Sequence, residues 1–450
     1  MAAARDPIHG LWSSRWVFIL AATGSAVGLG NIWRFPYVTG ENGGGAFVLV
    51  YLACVALVGV PIMIAEIVLG RRGRRSPINT MSELAREEGL SPAWSGVGWM
   101  GVVAGFLILS FYSVVAGWSL AYVFYLGSGT FAAATGEFSQ TTFDALIASP
   151  GKLLLWHSLF IALTIFVVSR GVTGGLEKAA RLLMPALFLM LLLLVGYAAS
   201  AGDFKGALSY LFEPDFTALS SDAILIALGQ AFFSLSLGMG SIMVYGSYLP
   251  SDASIPSTAV TIAIADTMVA VLAGLAIFPI VLGYGLEPGA GPGLVFISLT
   301  VAFGQMPGGQ FFGTVFFLLL SVAALTSAIS LLEPVAAWLV ESKRFTRRNA
   351  CLVAGAGAWL LGIGSLLSFN LWSEVTLSER HFFGWMELIS TTILLPLGGL
   401  LIAIFAGWRL RHSSSLEEFQ QQRPAHLVWV TLTRFVAPVG VAIIFFEALS

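Results

Sequence analysis

Eleven apolar stretches, each long enough to cross the roughly 30 Å hydrocarbon core of a bilayer, run through this 450-residue sequence. They lie at about 15–38, 44–70, 97–126, 152–169, 178–199, 221–249, 256–284, 311–341, 348–369, 383–408 and 427–448. Because lipid offers the backbone no hydrogen-bond partners, such segments must be helical. Since 57% of the residues are hydrophobic and only 10% are charged, the sequence predicts an all-α polytopic membrane protein.

The distribution of lysine and arginine predicts how these helices are oriented. If the N-terminus is cytoplasmic, 17 of the 22 basic residues lie on the cytoplasmic side, within 1–15, 70–86, 170–181, 343–348 and 409–423. Cytoplasmic loops of membrane proteins have such an excess of positive charge. An odd number of spans then places the C-terminus outside.

Two of the apolar stretches are interrupted by glycines and small polar residues. The first interruption reads ATGSAVGLGN over 22–31, and the second reads FFSLSLGMGS over 232–241. Unwound backbone at membrane depth is tolerated only where it lines a cavity or binds something. Two breaks at corresponding places in the two halves predict a substrate and ion site near the middle of the bilayer, as in secondary transporters.

The two broken helices are expected to run in opposite directions, helix 1 from inside to outside and helix 6 from outside to inside. This arrangement predicts two inverted repeats of five helices each. The first repeat covers residues 1–200 and helices 1–5, and the second covers residues 201–410 and helices 6–10. Residues 411–450 are expected to form a cytoplasmic linker and helix 11.

The residues around the first break are unusual for the interior of a membrane. Gly24 and Gly28 alone are typical of close helix packing. Here Asn31 and Arg34 follow directly, and such side chains are costly in a span unless they face a cavity. A helix that restarts near Gly30 would point N–H groups and the positive end of its dipole at a carboxylate. The carbonyls freed to coordinate a cation would be those of Gly24, Ala26 and Val27.

The run GSAVGLGNIWRFPY over 24–37, followed by ENGGGAF over 41–47, resembles the signature of the neurotransmitter:sodium symporter family. The resemblance extends over nearly the whole chain and includes QAFF at 230–233 and LTS at 325–327. It is nearest to the bacterial members with eleven helices that transport hydrophobic and aromatic amino acids. It implies a leucine-transporter-like fold, with helices 1 and 6 unwound at mid-membrane, in a bacterial inner membrane.

The resemblance also implies two bound sodium ions, each held by oxygen atoms. Besides the substrate's own carboxylate, the ligands implied for the first ion are the Ala26 carbonyl, Asn31, Ser234 and Asp266. Those implied for the second ion are the carbonyls of Gly24, Val27 and Ala323 and the hydroxyls of Thr326 and Ser327. Hydroxyl side chains in helices also bond to the preceding turn, so these hydroxyls alone do not establish a sodium site.

Asp266 departs from the family pattern, in which asparagine usually stands at this position of helix 7. One turn later, where animal members have a serine of the chloride site and bacterial members often a glutamate, this sequence has Ala270. We hypothesise that Asp266 supplies both a sodium ligand and a fixed negative charge, which makes transport independent of chloride. A buried carboxylate without its cation tends to bind a proton, so the carrier would return with Asp266 protonated. A carboxyl group that only caps a neighbouring helix is the alternative.

The positions that bind an amino-acid backbone are likewise implied by the resemblance. Backbone N–H groups at Leu29 and Gly30, together with the Tyr112 hydroxyl, would hold the carboxylate of the substrate. Carbonyls near Phe233, near Ser236 and in the first break would hold its ammonium group. Gly28 stands where carriers of biogenic amines have an aspartate, and its lack of a side chain favours an α-amino acid.

The side-chain pocket implied by the resemblance is apolar and contains no charge. Its positions are Ile108, Phe233, Met239, Ser327 and Leu331. Phe232 is expected to form its lid. Taken singly, each of these residues is typical of core packing, but as a set they favour a hydrophobic substrate. Because methionine is flexible, Met239 favours a broad range from leucine, isoleucine and valine to phenylalanine, tyrosine and tryptophan.

Gates are expected on both sides of the site. Arg34 matches the outer-gate arginine of the family, and Glu387 is the nearest candidate for its acidic partner. The inner gate would be formed by Trp12, Glu341 and Tyr248, with His9 in place of the usual arginine. Glu66, an acid inside helix 2, is expected to hydrogen-bond the unwound backbone of helix 6.

Three other functions stay open at this point. The first is a proton-coupled carrier of the same fold, which should lack the pair formed by Thr326 and Ser327. The second is an ion channel, which needs a ring of polar residues along a pore. The third is an intramembrane enzyme, which needs a nucleophile next to a base. No basic face or zinc spacing indicates binding to nucleic acid. The expected partners are a hydrophobic amino acid, sodium ions and membrane lipids, and the sequence does not indicate an oligomeric state.

Overall fold

The computed structural model describes residues 8–220, 222–289, 291 and 293–447, with side chains as far as residue 443. These residues form helices and loops, with one isolated bridge between Leu377 and Arg380 and no longer strand. Within this part of the chain, nine unbroken helices are long and apolar enough to cross a membrane. They are Gly45–Gly73, Pro92–Gly127, Pro150–Val168, Val172–Ala201, Ile255–Gly283, Gly309–Lys343, Arg347–Leu367, Phe382–Arg409 and Arg423–Ile443.

Two further segments are broken, and together with the nine unbroken helices we number them helix 1 to helix 11 in chain order. Helix 1 consists of Arg15–Ala26 and Gly30–Glu41, which are bent by 53° relative to each other. Helix 6 consists of Ala223–Ser234 and Ser241–Ser247, separated by the irregular residues 235–240. Short helices outside the spans are Pro77–Glu87, Gly136–Ile147, Phe204–Phe212, Leu294–Gln305 and His412–Glu418.

The two broken helices run antiparallel. At one face, here named the N-terminal face, the Trp12 N–H donates to the Tyr248 carbonyl at 3.0 Å. At the opposite face, the Ser220 hydroxyl donates to Asn42 Oδ1 at 2.9 Å. Helix 1 therefore begins where helix 6 ends, as the sequence predicts. The division into two five-helix repeats stays a prediction.

Helix 1 breaks because its backbone turns to an extended conformation at Val27, where φ is −69° and ψ is 109°. The Gly28 N–H, which has no place in the preceding helix, donates to Asn31 Oδ1 at 3.3 Å. This contact resembles an N-terminal cap, in which a side-chain oxygen satisfies an N–H that the helix leaves unpaired. The second half of the helix begins again at Gly30.

Helix 6 breaks because three residues adopt positive φ angles, which are 54° at Ser236, 76° at Gly238 and 73° at Gly240. A Cβ atom on Gly238 would lie only 2.4 Å from the Leu395 carbonyl oxygen of helix 10, so no side chain fits there. The Gly238 N–H donates to Glu66 Oε1 at 2.7 Å. This contact confirms that Glu66 hydrogen-bonds the unwound backbone of helix 6.

Intact helices surround the two breaks. Helix 3 packs along helix 8, while the first half of helix 1 packs against helices 5, 7 and 8. The second half of helix 6 packs against helix 2. The breaks meet inside this bundle, where the Ser236 hydroxyl donates to the Ser25 carbonyl at 2.8 Å.

Candidate functional site

The two breaks enclose a small cavity. Its volume is about 20 Å³, which is room for roughly one water molecule. It is lined by Ala26, Gly28, Leu29, Gly30, Ile108, Tyr112, Phe233, Ser236, Met239, Ser327 and Leu331. The structure thus brings together every position expected to contact an amino acid except Phe232.

The glycines of the first break leave space that no other residue could leave. A Cβ atom on Gly28 would lie 2.4 Å from Ser327 Oγ and 2.8 Å from the Tyr112 hydroxyl. A Cβ atom on Gly30 would lie 2.8 Å from Cδ1 of Phe233. All three distances are shorter than van der Waals contact, so the cavity depends on the absence of side chains at these two positions.

Tyr112 of helix 3 and the first break form a polar corner of the cavity. The Leu29 N–H donates to the Tyr112 hydroxyl oxygen at 3.2 Å. A ligand carboxylate placed here could accept from the same N–H while the tyrosine hydroxyl donates to it. The corner therefore has the donors that a carboxylate requires, next to the N-terminal end of the second half of helix 1.

Phe233, and not Phe232, covers the cavity. The ring of Phe233 lies against Gly30 and lines the cavity, whereas Phe232 points away and packs against helix 10, where a Cβ on Gly399 would lie 2.4 Å from the Phe232 ring. The prediction that Phe232 forms the lid is therefore wrong, and Phe233 takes that position. Neighbouring side chains of a helix point in directions about 100° apart, so only one of these two rings can face the cavity.

Asp266 of helix 7 lies in a fully buried polar cluster. Asn31 Nδ2 donates to Asp266 Oδ1 at 2.8 Å and to Ser234 Oγ at 3.0 Å, and Ser234 Oγ donates to Asp266 Oδ2 at 2.5 Å. Tyr51, which sequence reasoning missed, adds a hydroxyl 3.1 Å from Ser234 Oγ. No arginine or lysine among the described residues pairs with this carboxylate. The cluster includes all three side chains expected at the first sodium site, and its carboxylate, when ionised, has no basic partner, which suits a cation.

The positions expected at the second sodium site also lie together, between the first break and helix 8. The Ser327 hydroxyl is 3.2 Å from the Val27 carbonyl, and the Thr326 hydroxyl donates to the Ala323 carbonyl at 2.9 Å. A Cβ on Gly24 would lie 3.3 Å from Cβ of Thr326. Thr326 thus makes the hydrogen bond to the preceding turn of its own helix that hydroxyl side chains often make. Its oxygen still has a lone pair that can bind a cation.

A second cavity of about 280 Å³ lies on the other side of the Phe233 ring, away from the N-terminal face. Arg34 and Glu387 both line it, but the described residues contain no ion pair between them. The Arg34 guanidinium instead lies over the Phe233 ring, 5.1 Å from its centre. Among the described residues, the outer gate pair expected from the sequence is therefore not formed in this structure.

The N-terminal face is closed by contacts of the segment before helix 1. His9 Nε2 lies 2.9 Å from Glu341 Oε1, so these two residues form an inner pair in which histidine stands in place of the family's usual arginine. The Trp12 indole N–H donates to the Tyr245 carbonyl at 3.0 Å. Ser13 Oγ donates to Glu177 of helix 5 at 2.6 Å.

Tyr248 lies beside the His9–Glu341 pair, with its ring centre 5.8 Å from that of His9. Its hydroxyl donates to Glu333 Oε1 at 2.6 Å, and Glu333 in turn pairs with Arg347 at the start of helix 9. The Tyr248 hydroxyl thus bonds to an acid that lies about two turns before Glu341 in helix 8. The sequence did contain a signal for Glu333, since a fully buried acid inside a span requires a partner.

Known proteins similar to this chain agree with the geometry. The chain matches the family model described as the sodium:neurotransmitter symporter family over residues 9–135 and 133–450. The chain belongs to the sodium:neurotransmitter symporter family. It is 37% identical over 443 residues to an uncharacterized sodium-dependent transporter of Bacillus subtilis, covering 98% of this chain and 97% of the relative. A similar transporter of Haemophilus influenzae is 35% identical over 447 residues, with 97% and 98% covered.

A solved symporter structure is also similar over the whole chain. The crystal structure of MhsT in complex with L-phenylalanine superposes with a TM-score of 0.90 at 44% sequence identity, covering 98% of this chain and 99% of MhsT. This symporter family member is therefore a multi-pass sodium-dependent transporter with the leucine-transporter fold, and not an enzyme.

Proposed function

We propose that this symporter imports hydrophobic L-amino acids, from leucine, isoleucine and valine to phenylalanine, tyrosine and tryptophan, together with two sodium ions. Transport proceeds by alternating access and does not require chloride. The observation that supports this most directly is the cavity between the breaks, which has an apolar lining and lies between two clusters of oxygen atoms.

The cargo is proposed to be an α-amino acid with an uncharged side chain. The N–H groups beside Tyr112 suit a carboxylate, and Gly28 leaves no acidic side chain to replace that carboxylate. The similar transporter MhsT was crystallised with L-phenylalanine. Because the cavity here measures about 20 Å³, its lining must move outward to admit such a molecule. Met239 lies in the second break, and its unbranched side chain is the one in the lining best able to adapt to different sizes.

Two sodium ions are proposed because the structure offers two separate sets of hard oxygen atoms. The first set centres on Asp266 and includes Asn31 and Ser234. The second set lies between Val27 and helix 8. Their ligands are Ala26, Asn31, Ser234 and Asp266 for the first ion and Gly24, Val27, Ala323, Thr326 and Ser327 for the second. The ions are co-substrates that bind and leave with each transport cycle.

Independence from chloride is proposed on the charge of Asp266. In this position a carboxylate supplies the negative charge that a bound chloride ion would otherwise supply near the first sodium ion. Ala270, one turn further along helix 7, is buried and offers no ligand to an anion. The fixed charge and the missing ligand both favour transport without chloride.

The membrane and orientation are proposed from the basic residues. The N-terminal face includes Arg71, Arg347 and their neighbours. Of the 22 basic residues in the chain, 17 are assigned to this side, and this excess favours a cytoplasmic location. We therefore place the protein in a bacterial inner membrane with the N-terminus in the cytoplasm and the C-terminus outside. Import then releases the amino acid at the N-terminal face.

The decisive test is uptake of labelled leucine and tryptophan into proteoliposomes, with sodium, chloride and pH varied independently. We expect uptake of both amino acids to require sodium and to be unchanged when gluconate replaces chloride. Uptake without sodium would favour a proton-coupled carrier. Ion conduction without an amino acid would favour a channel, and either result would reject the proposal.

A further inference from the structure

Five buried serines connect the two breaks to helix 8 at the floor of the cavity, on the side of the N-terminal face. They are Ser25, Ser236, Ser241, Ser327 and Ser330. None of their hydroxyls is among the buried polar atoms that lack a partner in the described part of the chain. They form one connected network of hydrogen bonds.

Ser25 is the centre of this network. Its hydroxyl donates to Ser330 Oγ at 2.7 Å. Its carbonyl accepts from Ser236 Oγ at 2.8 Å and from Ser327 Oγ at 3.2 Å. A single residue of the first break is therefore bound both to the second break and to helix 8.

Ser330 extends the network to the inner half of helix 6. Its hydroxyl donates to the Ser327 carbonyl at 2.8 Å, within helix 8. Its own carbonyl accepts from Ser241 Oγ at 2.9 Å, and Ser241 is the first residue of the inner half of helix 6. The inner halves of helices 1 and 6 thus meet at the same residue of helix 8.

The network also reaches the proposed second sodium site. Ser327 Oγ is 3.2 Å from the carbonyl of Val27 as well as from that of Ser25. A sodium ion bound by Val27 and Ser327 draws the first break toward helix 8. The Ser25–Ser330 hydrogen bond likewise requires the first break to lie close to helix 8.

We propose that Ser25 and Ser330 form a positioning pair that couples the second sodium site to the closed floor of the cavity, and that the pair must separate before an amino acid leaves at the N-terminal face. This inference rests on the proposed sodium-coupled transport of amino acids. While the pair is formed, the inner half of helix 1 cannot leave helix 8. Because one hydroxyl–hydroxyl bond is weak, the closure is reversible on the timescale of transport.

The pair can be tested with little change in packing, since serine to alanine removes one oxygen atom. We compare Ser25→Ala, Ser330→Ala and the double variant with the unmodified protein. The matched control is Ser119→Ala, which cuts a buried hydrogen bond of 2.9 Å to Ser321 between helices 3 and 8, outside the site. Equilibrium binding and dissociation of labelled phenylalanine are measured over a range of sodium concentrations.

Both single variants should raise the sodium concentration for half-maximal binding by roughly threefold to tenfold, as expected for one lost hydrogen bond. Dissociation of phenylalanine should become faster. The double variant should be no worse than the more severe single variant, because both substitutions remove the same bond. Ser119→Ala should leave the sodium dependence unchanged.

Unchanged sodium dependence in both single variants would overturn the proposal, as would additive effects or the same shift in Ser119→Ala. The midpoint of thermal unfolding, measured against sodium without amino acid, tests the pair independently of the cargo. There the pair predicts a smaller stabilisation by sodium in both single variants than in Ser119→Ala. If the unmodified protein binds phenylalanine without sodium, the proposed function itself fails.

Discussion

Asp266 is a buried carboxylate whose neighbours donate hydrogen bonds but supply no positive charge. Asn31 and Ser234 satisfy its oxygen atoms at 2.8 and 2.5 Å. Hydrogen bonds of this kind orient a carboxylate, yet an unbalanced charge at this depth still costs several kcal/mol. A sodium ion or a proton must therefore accompany Asp266 in each half of the transport cycle.

Replacing Asp266 with asparagine keeps the oxygen ligand and removes the charge. We expect Asp266→Asn to transport poorly with or without chloride, because the negative charge beside the first sodium ion is lost and Ala270 offers no ligand to an anion that could replace it. Sodium-driven leucine uptake at several chloride concentrations measures this. The exposed Asp144, which contacts Gln140 outside the spans, provides the control Asp144→Asn. Normal transport by Asp266→Asn without chloride would show that the charge is not required.

Gly28 offers a test of the cavity itself. In Gly28→Ala the new methyl group would lie 2.4 Å from Ser327 Oγ, so the first break and helix 8 must move apart. Overpacking of this kind costs about 1–3 kcal/mol, and we expect phenylalanine affinity to fall by about tenfold or more.

Gly229 of helix 6 is the matched control for Gly28, because nothing lies within 4 Å of a Cβ built there. Gly229→Ala should bind phenylalanine normally. Equilibrium binding of phenylalanine to Gly28→Ala and Gly229→Ala is the measurement. Equal affinities of the two variants would contradict the geometry of the first break.

The second break shows how one side chain stabilises a whole element. Glu66 of helix 2 accepts the Gly238 N–H at 2.7 Å, and both residues are buried. An N–H left without an acceptor costs about 1–3 kcal/mol. The irregular shape of helix 6 therefore depends on a residue of another helix.

We expect Glu66→Gln to retain most activity and stability, because the amide oxygen can still accept from Gly238. Glu66→Leu has a similar size but no acceptor, and it should lower the free energy of unfolding by about 1–3 kcal/mol and weaken binding of the amino acid. Thermal unfolding in detergent and phenylalanine binding measure the two effects. Equal behaviour of the two variants would show that Glu66 acts through its charge or its size instead.

The sequence predicts the helices and their breaks more accurately than the side-chain contacts between the helices. Glycine-rich interruptions such as those at Gly28 and Gly238 mark the breaks in the sequence itself, because few other residues permit them. The partner of a side chain depends on the rotation of its helix and on the depth of its neighbours. The sequence therefore assigned the lid to Phe232 in place of Phe233 and could not identify Glu333 as the partner of Tyr248.

In the whole molecule, the contacts at the two faces are unequal. The N-terminal face is closed by hydrogen bonds from His9, Trp12 and Ser13 to helices 8, 6 and 5, respectively. On the opposite side a cavity of about 280 Å³ leads to the Phe233 ring. The proposed alternating access requires that these contacts break when the outer cavity closes, and the broken helices would link the two faces.

The net charge moved in each cycle distinguishes the two ways in which Asp266 can return. Two sodium ions with a zwitterionic amino acid move two charges, whereas a proton that returns on Asp266 reduces this to one. Each charge moved across 100 mV supplies about 2.3 kcal/mol. At about 1.4 kcal/mol per decade, two charges support accumulation near a thousandfold, and one charge supports about fiftyfold.

We expect the smaller value, since an uncompensated carboxylate is costly to move through the closed states. Proteoliposomes with equal sodium on both sides and an imposed potential of 100 mV measure the accumulation of leucine directly. Because the proton leaves as the amino acid enters, a more acidic interior should increase accumulation, and a more acidic exterior should decrease it. Accumulation near a thousandfold that does not respond to the pH gradient would show that Asp266 returns without a proton.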